Sequence, residues 1–422
     1  MKKIPLLVWI ILAIITGVLL GSFTPGAIET LNSVTGWSLP TDLVVQLFVS
    51  FSTIFSAFLS FAIPLIIIGF IVPGIGSLAK GAGKLLGTTV GLAYFSSVCA
   101  GFLALLTALL VYPVILKGQR LTAFENPEES LSAGYLEFTL DPIMPVMSAL
   151  ILSFILGLGL TALPTKNLLG IFQDFQIIVE KLLKTVIIPL LPIHIIGIFA
   201  NMTLAGEVAM ILSVFGKVFI MVLLLHWATL LIQYTVSGVA SGRNPFTMLK
   251  TMLPAYFTAL GTQSSAATIP VTVQSAKKVG IKNRIVDFAV PLCANIHLSG
   301  SMITITSCAV AVIFMTNGDL SFGKMVPVIL LLGVMMVAAP GVPGGGVMSA
   351  IGLLQSMLGF DESMVALMIA LYLAQDSFGT ATNVTGDATI AALIERVSKI
   401  LKIDVDEPAP QHRDSASAAV SA

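Results

Sequence analysis

The chain has 422 residues, of which 56% are hydrophobic and 10% charged. A soluble domain carries roughly 25% charge, so this composition excludes a soluble enzyme, a disordered protein and a nucleic-acid binder. Lys and Arg (21) balance Asp and Glu (21), so net charge points to no partner. Leu- and Ile-rich blocks of helical length favour an all-α polytopic membrane protein over a β-barrel.

Met1-Lys2-Lys3 followed by Ile4–Phe23 has the outline of a signal peptide. Its apolar stretch is longer than an h-region and no clear small-residue cleavage site follows, so it reads as a retained first helix. Blocks able to span a bilayer, which needs about 20 residues, then run over 5–22, 43–75, 86–115, 142–163, 168–202, 206–240, 284–315 and 362–397. That predicts eight transmembrane helices, several long enough to tilt or bend.

Two further blocks are interrupted. Residues 247–276 divide into an arm ending near Leu260, a polar tip, and a second arm from Ile269. Residues 324–359 divide at Pro340-Gly341-Val342-Pro343-Gly344-Gly345-Gly346. Each arm is too short to span, so both blocks read as re-entrant helical hairpins whose tips are buried in protein or line a cavity. Paired Gly/Pro interruptions point to a transporter site. Ile63-Pro64-Leu65 and Ile188-Pro189-Leu190 match across the halves, by chance or as a trace of inverted repeats.

Lys2, Lys3, Lys80, Lys84, Lys166, Arg243, Lys250, Lys277, Lys278, Lys282 and Arg284 fall on one side of the predicted topology. The other side has mainly Lys117, Arg120 and Lys324, beside an acidic loop over 117–141. Both termini are therefore expected in the cytoplasm, and the polar tail 403–422 reads as disordered. Cys99, Cys293 and Cys308 have no metal or disulfide spacing and read as small core residues.

Charges at membrane depth are costly and mark function by default. The last block carries Asp376 and Asp387, with Thr380 and Asn383 at i+4 and i+7 from Asp376, on one helical stripe. Such a line of oxygens suits a cation and an ammonium group; a polar seam holding helices together is the other reading. The tip Gly261–Pro270 reads either as an ordinary loop or as a half-helix N-terminus that attracts a carboxylate. Gly341–Gly346 offers carbonyls and a hinge, or a plain turn. Asn295-Ile296-His297-Leu298-Ser299-Gly300-Ser301 breaks the seventh span and reads as a cavity lining. His194 and His226 read as buried neutral histidines, and His297 as either that or a functional group. No protease triad, HExxH or P-loop is present, so no enzymatic activity is expected.

Three motifs in order resemble the dicarboxylate/amino acid:cation symporter family, the glutamate-transporter fold: Thr262–Pro270, Gly341–Gly344 and Asp376…Thr380…Asn383-Val384-Thr385-Gly386-Asp387. The resemblance covers about 43–397 and implies an elevator-type homotrimer. It implies scaffold helices within 1–82 and 116–203, and a transport domain of 83–115 and 204–402. The substrate ammonium falls to Asp376 and its carboxylate to Asn383, helped by Ser264, Ser265, Thr380, Gly341 and Val342. Sodium falls to Asp387 with Asn383, Ser299 and His297, and Ser96 and Ser97 match the hydroxyl pair of a third sodium site.

Acidic-substrate members have an arginine where this chain has Gly379, so an arginine there is expected to restore part of acidic recognition. Their Asn-Met-Asp-Gly-Thr is His297-Leu298-Ser299-Gly300-Ser301 here, and an aspartate one turn before Asp376 is Tyr372. Gln375-Asp376-Ser377 and Ser299–Thr306 are most similar to the bacterial serine/threonine:sodium symporter branch. The resemblance thus implies an inner-membrane symporter of a small neutral amino acid, coupled to Na+ or alternatively H+, with fewer sodium ions than acidic-substrate relatives. A proton-coupled or acidic-substrate carrier of the same fold, or an uncoupled channel, are the other readings.

Overall fold

The computed structural model describes residues 6–77, 83–117, 135, 140–163, 167–206, 208–316, 320–339 and 343–401. Among them the secondary structure is helical, with no strand. In chain order the helices are α1 (Leu6–Thr35), α2 (Leu43–Ser77), α3 (Gly83–Ile115), α4 (Val146–Ala162), α5 (Asn167–Leu182), α6 (Ile188–Leu204) and α7 (Val208–Ser241). They continue as α8 (Pro245–Thr262), α9 (Ser265–Lys278), α10 (Asn283–Ile296), α11 (Ser299–Met315), α12 (Phe322–Ala338), α13 (Gly345–Leu358) and α14 (Glu362–Ile400).

Among the described residues, seven helical segments are long and apolar enough to cross a membrane: Val8–Thr35, Leu43–Gly76, Lys84–Ile115, Asn167–Leu204, Val208–Ser241, Asn283–Met315 and Glu362–Ile400. The fourth predicted block forms the 17-residue α4, a short helix at the lower limit of a span. The first helix continues to Thr35 instead of ending near residue 22, because Pro25 does not break it and its far end keeps exposed apolar groups such as Phe23 and Leu31.

Helices α1, α2, α4, α5 and α6 pack largely on one another. The closest approach uses small residues, as membrane helix pairs do. A Cβ at Gly17 would lie 2.7 Å from the Ile196 carbonyl oxygen, and one at Gly21 would lie 2.6 Å from Thr203 Cβ. Between α5 and α6, Leu183–Ile187 forms a π-turn. Pro189 and Pro192 lack the N–H groups that would close the ordinary ladder there.

The remaining helices surround α11 and α14, which are enclosed by protein along nearly their whole lengths. Both hairpins form, α8/α9 and α12/α13. In the first, the second arm begins at Ser265, four residues earlier than expected, because Ser264 Oγ caps it by accepting the Ala267 N–H at 3.3 Å. Gln263 makes the reversal in the left-handed region, φ 53°. In the second, Gly344 takes φ 74° and starts α13, a conformation in which a side chain is strained. Gly341 and Val342 lie outside the described residues, as does the tail from 402.

The seventh span is broken as expected: His297 and Leu298 leave helical geometry between α10 and α11. At one end of the molecule Arg243 pairs with Glu395 at 2.7 Å and also donates to the Gly280 carbonyl at 2.7 Å. At the opposite end Lys217 donates to the Ile115 carbonyl at 2.8 Å, closing α3. Cys293 and Cys308 are core residues, whereas Cys99 is exposed on α3, since a helix against hydrocarbon has no need to bury an apolar thiol.

Candidate substrate and cation site

The polar stripe of α14 lies wholly inside the protein. Asp376, Thr380, Asn383 and Asp387 are all buried, and three of them meet a different neighbour. Asp376 Oδ2 accepts the Gly344 N–H at 2.7 Å, tying the second hairpin to α14. Asn383 Oδ1 accepts the Gly300 N–H at 2.7 Å and the Ser301 N–H at 3.3 Å, while its Nδ2 donates to Ser301 Oγ at 3.1 Å. Asp387 Oδ1 sits 3.1 Å from His297 Nδ1.

The local reasons are visible in the chain. The break at His297-Leu298 leaves the first N–H groups of α11 without intrahelical partners, and the Asn383 amide caps them from the neighbouring helix. Small residues allow the two helices to approach so closely. A Cβ at Gly300 would overlap the Gly379 carbonyl oxygen, and one at Gly346 would lie 2.5 Å from the Tyr372 hydroxyl. That hydroxyl donates to Ser301 Oγ at 3.3 Å, so Tyr372 ties α14 to α11 where the second hairpin packs against it.

A second knot lies at His297. A carboxylate only accepts, so the ring donates Nδ1–H to Asp387 and accepts at Nε2 from Ser96 Oγ, 3.0 Å away. Gln233 Nε2 donates to Ser96 Oγ at 3.0 Å and to Ser299 Oγ at 3.2 Å. The chain of donors runs Gln233, Ser96, His297, Asp387. Two acceptor oxygens are left over, Gln233 Oε1 and Asp387 Oδ2, both buried without a partner. Ser97 Oγ is buried and unpartnered as well.

The expected residues thus divide. Asp376 meets the second hairpin, while Asn383, Asp387, His297, Ser299 and Ser96 gather around the broken span. Ser264 and Ser265 form the N-terminus of α9, and no hydrogen bond among those described joins them to Asp376 or Asn383. Gly379 faces the interior of the helix pair, where a Cβ would stand 3.4 Å from Thr304 Oγ1 and 3.6 Å from the Gly300 carbonyl carbon. At those distances a Cβ makes ordinary contacts with α11, so the position faces the seam between the two helices.

His226 finds the partner expected of a buried neutral ring, with Nε2 at 3.1 Å from both the Gly300 carbonyl oxygen and Thr304 Oγ1. His194 Nδ1 has no partner, and its ring lies 5.0 Å from that of Phe55. Gln233 was not singled out from the sequence. Its signal was available: an amide in a predominantly apolar span.

The donor set is one of hard oxygens. Among the described residues no group of three His, Cys, Asp or Glu could hold a metal ion. The unpartnered Asp387 Oδ2 near a helix break fits an alkali cation, which takes carboxylate and carbonyl oxygens rather than nitrogen or sulfur.

The model of the sodium:dicarboxylate symporter family matches residues 6–397. Excitatory amino acid transporter 1 of Mus musculus is 28% identical over 206 residues, 49% of this chain and 37% of the relative. Excitatory amino acid transporter 4 of the same species is 32% identical over 158 residues, 37% of this chain and 28% of the relative. An excitatory amino acid transporter of Caenorhabditis elegans is 24% identical over 287 residues, 66% of this chain and 56% of the relative. The matches span about a quarter to a little over half of those relatives' lengths.

Proposed function

The chain belongs to the sodium:dicarboxylate symporter family, and we propose that it is a secondary symporter carrying a small neutral amino acid, of the serine, threonine or alanine kind, on a sodium gradient. The observation that carries this reading is the setting of Asp376. The carboxylate is buried and held by the Gly344 N–H, and among the described residues no Lys or Arg pairs with it. A substrate ammonium supplies the missing charge, since a buried carboxylate without a counter-charge is costly.

A substrate with a second carboxylate finds no partner here. Gly379 presents no side chain, and its Cβ direction leads into the seam between α14 and α11. Asn383, with both amide ends engaged at Gly300 and Ser301, acts by setting the N-terminus of α11 as well as by its own dipole. That N-terminus, with the start of α9, favours the substrate carboxylate.

Sodium is the co-transported substrate, held by Asp387 with carbonyl oxygens of the broken span and around Asn383. Its charge makes a second buried carboxylate tolerable. The Gly344–Asp376 bond ties the second hairpin to the substrate position, so binding and closure of that hairpin are linked. In the assembly we infer a homotrimer in the bacterial inner membrane with both termini cytoplasmic. The helices around α11 and α14 move as the transport domain, and α1, α2, α4, α5 and α6 form the scaffold.

The test is uptake by purified protein in proteoliposomes, screened over the twenty amino acids with and without sodium. Concentrative, sodium-driven uptake of serine, threonine or alanine is the expected result. Flux that never exceeds equilibrium moves the reading to an uncoupled channel. Uptake unchanged in choline, but lost as the proton gradient collapses, moves it to a proton-coupled carrier.

A further inference from the structure

We propose that Gln233 determines how many cations this protein couples, by filling with its own amide N–H groups the oxygen cluster of Ser96 and Ser299. The inference rests on the reading that Asp387 serves a cation, and it concerns a neighbouring place in the same network. A cation site needs several oxygen lone pairs directed at one point. Ser96 Oγ and Ser299 Oγ each already accept a Gln233 N–H, and both ring nitrogens of His297 are engaged. One Gln233 nitrogen lies 3.0 Å from Ser96 Oγ and 3.2 Å from Ser299 Oγ, as a shared ligand would. It is a donor with two hydrogens, and it satisfies both hydroxyl oxygens at once.

The histidine adds nothing to such a site. Its Nδ1 faces Asp387 and its Nε2 faces Ser96, at 3.1 and 3.0 Å. No ring lone pair remains once Ser96 donates to Nε2. Ser299 brings a hydroxyl and no charge, so a cation here would lack the carboxylate that offsets dehydration. To enter, it would also have to displace a buried amide and leave its N–H groups unpaired. On the outer side, Ser96 and Gln233 border a cleft of about 470 Å³ walled mostly by apolar groups, among them Leu92, Phe95, Leu103 and Ile232.

The amide therefore stands in for a cation. It carries partial positive hydrogens to the same oxygens, holds α3, α7 and α11 together, and needs no ion gradient to do so. The free Gln233 Oε1 points the other way along the same group, so the residue closes one cation position while leaving the Asp387 side open.

The test uses the purified full-length protein in detergent, and reads the rise in unfolding temperature with sodium against choline. Ser96→Ala and Ser299→Ala are expected to keep the apparent sodium affinity within about twofold of the unmodified protein, whatever they do to stability in choline. The double variant Gln233→Ala, Ser299→Asp is expected to gain a steeper sodium dependence, as an emptied place acquires a carboxylate. A loss of about tenfold or more in sodium affinity in either serine variant overturns the proposal. So does a double variant that folds with an unchanged sodium slope. Where the double variant does not fold, the two serine variants decide. A sodium response that survives Asp387→Asn overturns the Asp387 reading instead, while the serine variants still decide on Gln233.

Discussion

The side-chain oxygen of Asn383 accepts the backbone N–H of Gly300 at 2.7 Å, so one membrane helix caps the broken start of another. The two residues are 83 positions apart. This bond joins the stripe of α14 to the interrupted seventh span, and the properties of both depend on it.

Removing the cap tests that dependence. Asn383→Ala leaves the Gly300 N–H buried and unpaired, at a cost of about 1–3 kcal/mol. The expected outcome is a lower unfolding temperature together with weakened amino acid binding. Asn383→Asp keeps the acceptor but loses the donation to Ser301, and should unfold at a temperature closer to that of the unmodified protein. Equal unfolding temperatures for Asn383→Ala and the parent would show that the cap contributes nothing.

Asp376→Asn retains an acceptor for Gly344 while removing the charge. A charge-assisted hydrogen bond contributes about 1.5–3 kcal/mol, so substrate affinity should fall by about 10–150-fold with little change in stability. Asp376→Ala should lose both the affinity and the tie to the second hairpin. Calorimetric titration with serine or threonine separates the two, and binding within twofold of the parent in Asp376→Asn would refute the ammonium assignment.

At Gly379 the geometry predicts two results. Gly379→Ala is tolerated, because its Cβ makes an ordinary contact with Thr304 Oγ1 at 3.4 Å. Gly379→Arg forces a charge into the seam with α11, and is expected to destabilise the protein without producing aspartate uptake. Competition of labelled serine uptake by aspartate, run on the parent and both variants, checks this. Strong aspartate competition in the parent would contradict the neutral-substrate reading.

Gly346 and Tyr372 should behave as a coupled pair. A methyl group at Gly346 would stand 2.5 Å from the Tyr372 hydroxyl, so Gly346→Ala must displace either that ring or the second hairpin. Uptake is expected to fall sharply in Gly346→Ala and to recover in part when Tyr372→Phe removes the hydroxyl. A double variant no better than the product of the two single effects would show that the residues act independently.

The membrane class, the apolar blocks and the helix interruptions were legible in the chain, whereas the end of the first helix was not, since it runs on to Thr35 past the block that ends near residue 22. Glycine, proline and serine interrupt helical periodicity by their own backbone chemistry, so both hairpins and the break at His297-Leu298 follow from local sequence. The second arm of the first hairpin was expected from Ile269 and begins four residues earlier, because a serine-rich tip is compatible with either a loop or a cap and only the Ser264 Oγ bond to the Ala267 N–H decides it. The two carboxylates of α14 were also plain, since nothing hides an aspartate in an apolar helix.

What the sequence left open is pairing across helices. Hydropathy places a residue in the membrane but carries no information on helix rotation or depth, and these decide partners. His297 meets Asp387 and Ser96, which are 90 and 201 positions away, and only the packing of α3, α10 and α14 brings them together. Gly379 is an absent side chain in the sequence and a helix contact in the structure. Gln233 is one amide among apolar neighbours until α7 turns it toward Ser96 and Ser299. The sequence by itself determined which polar groups enter the membrane, because each is costly there and has to be explained. The tertiary structure decided which of them satisfy one another and which oxygens remain for a ligand, because hydrogen bonds form only at contact distance.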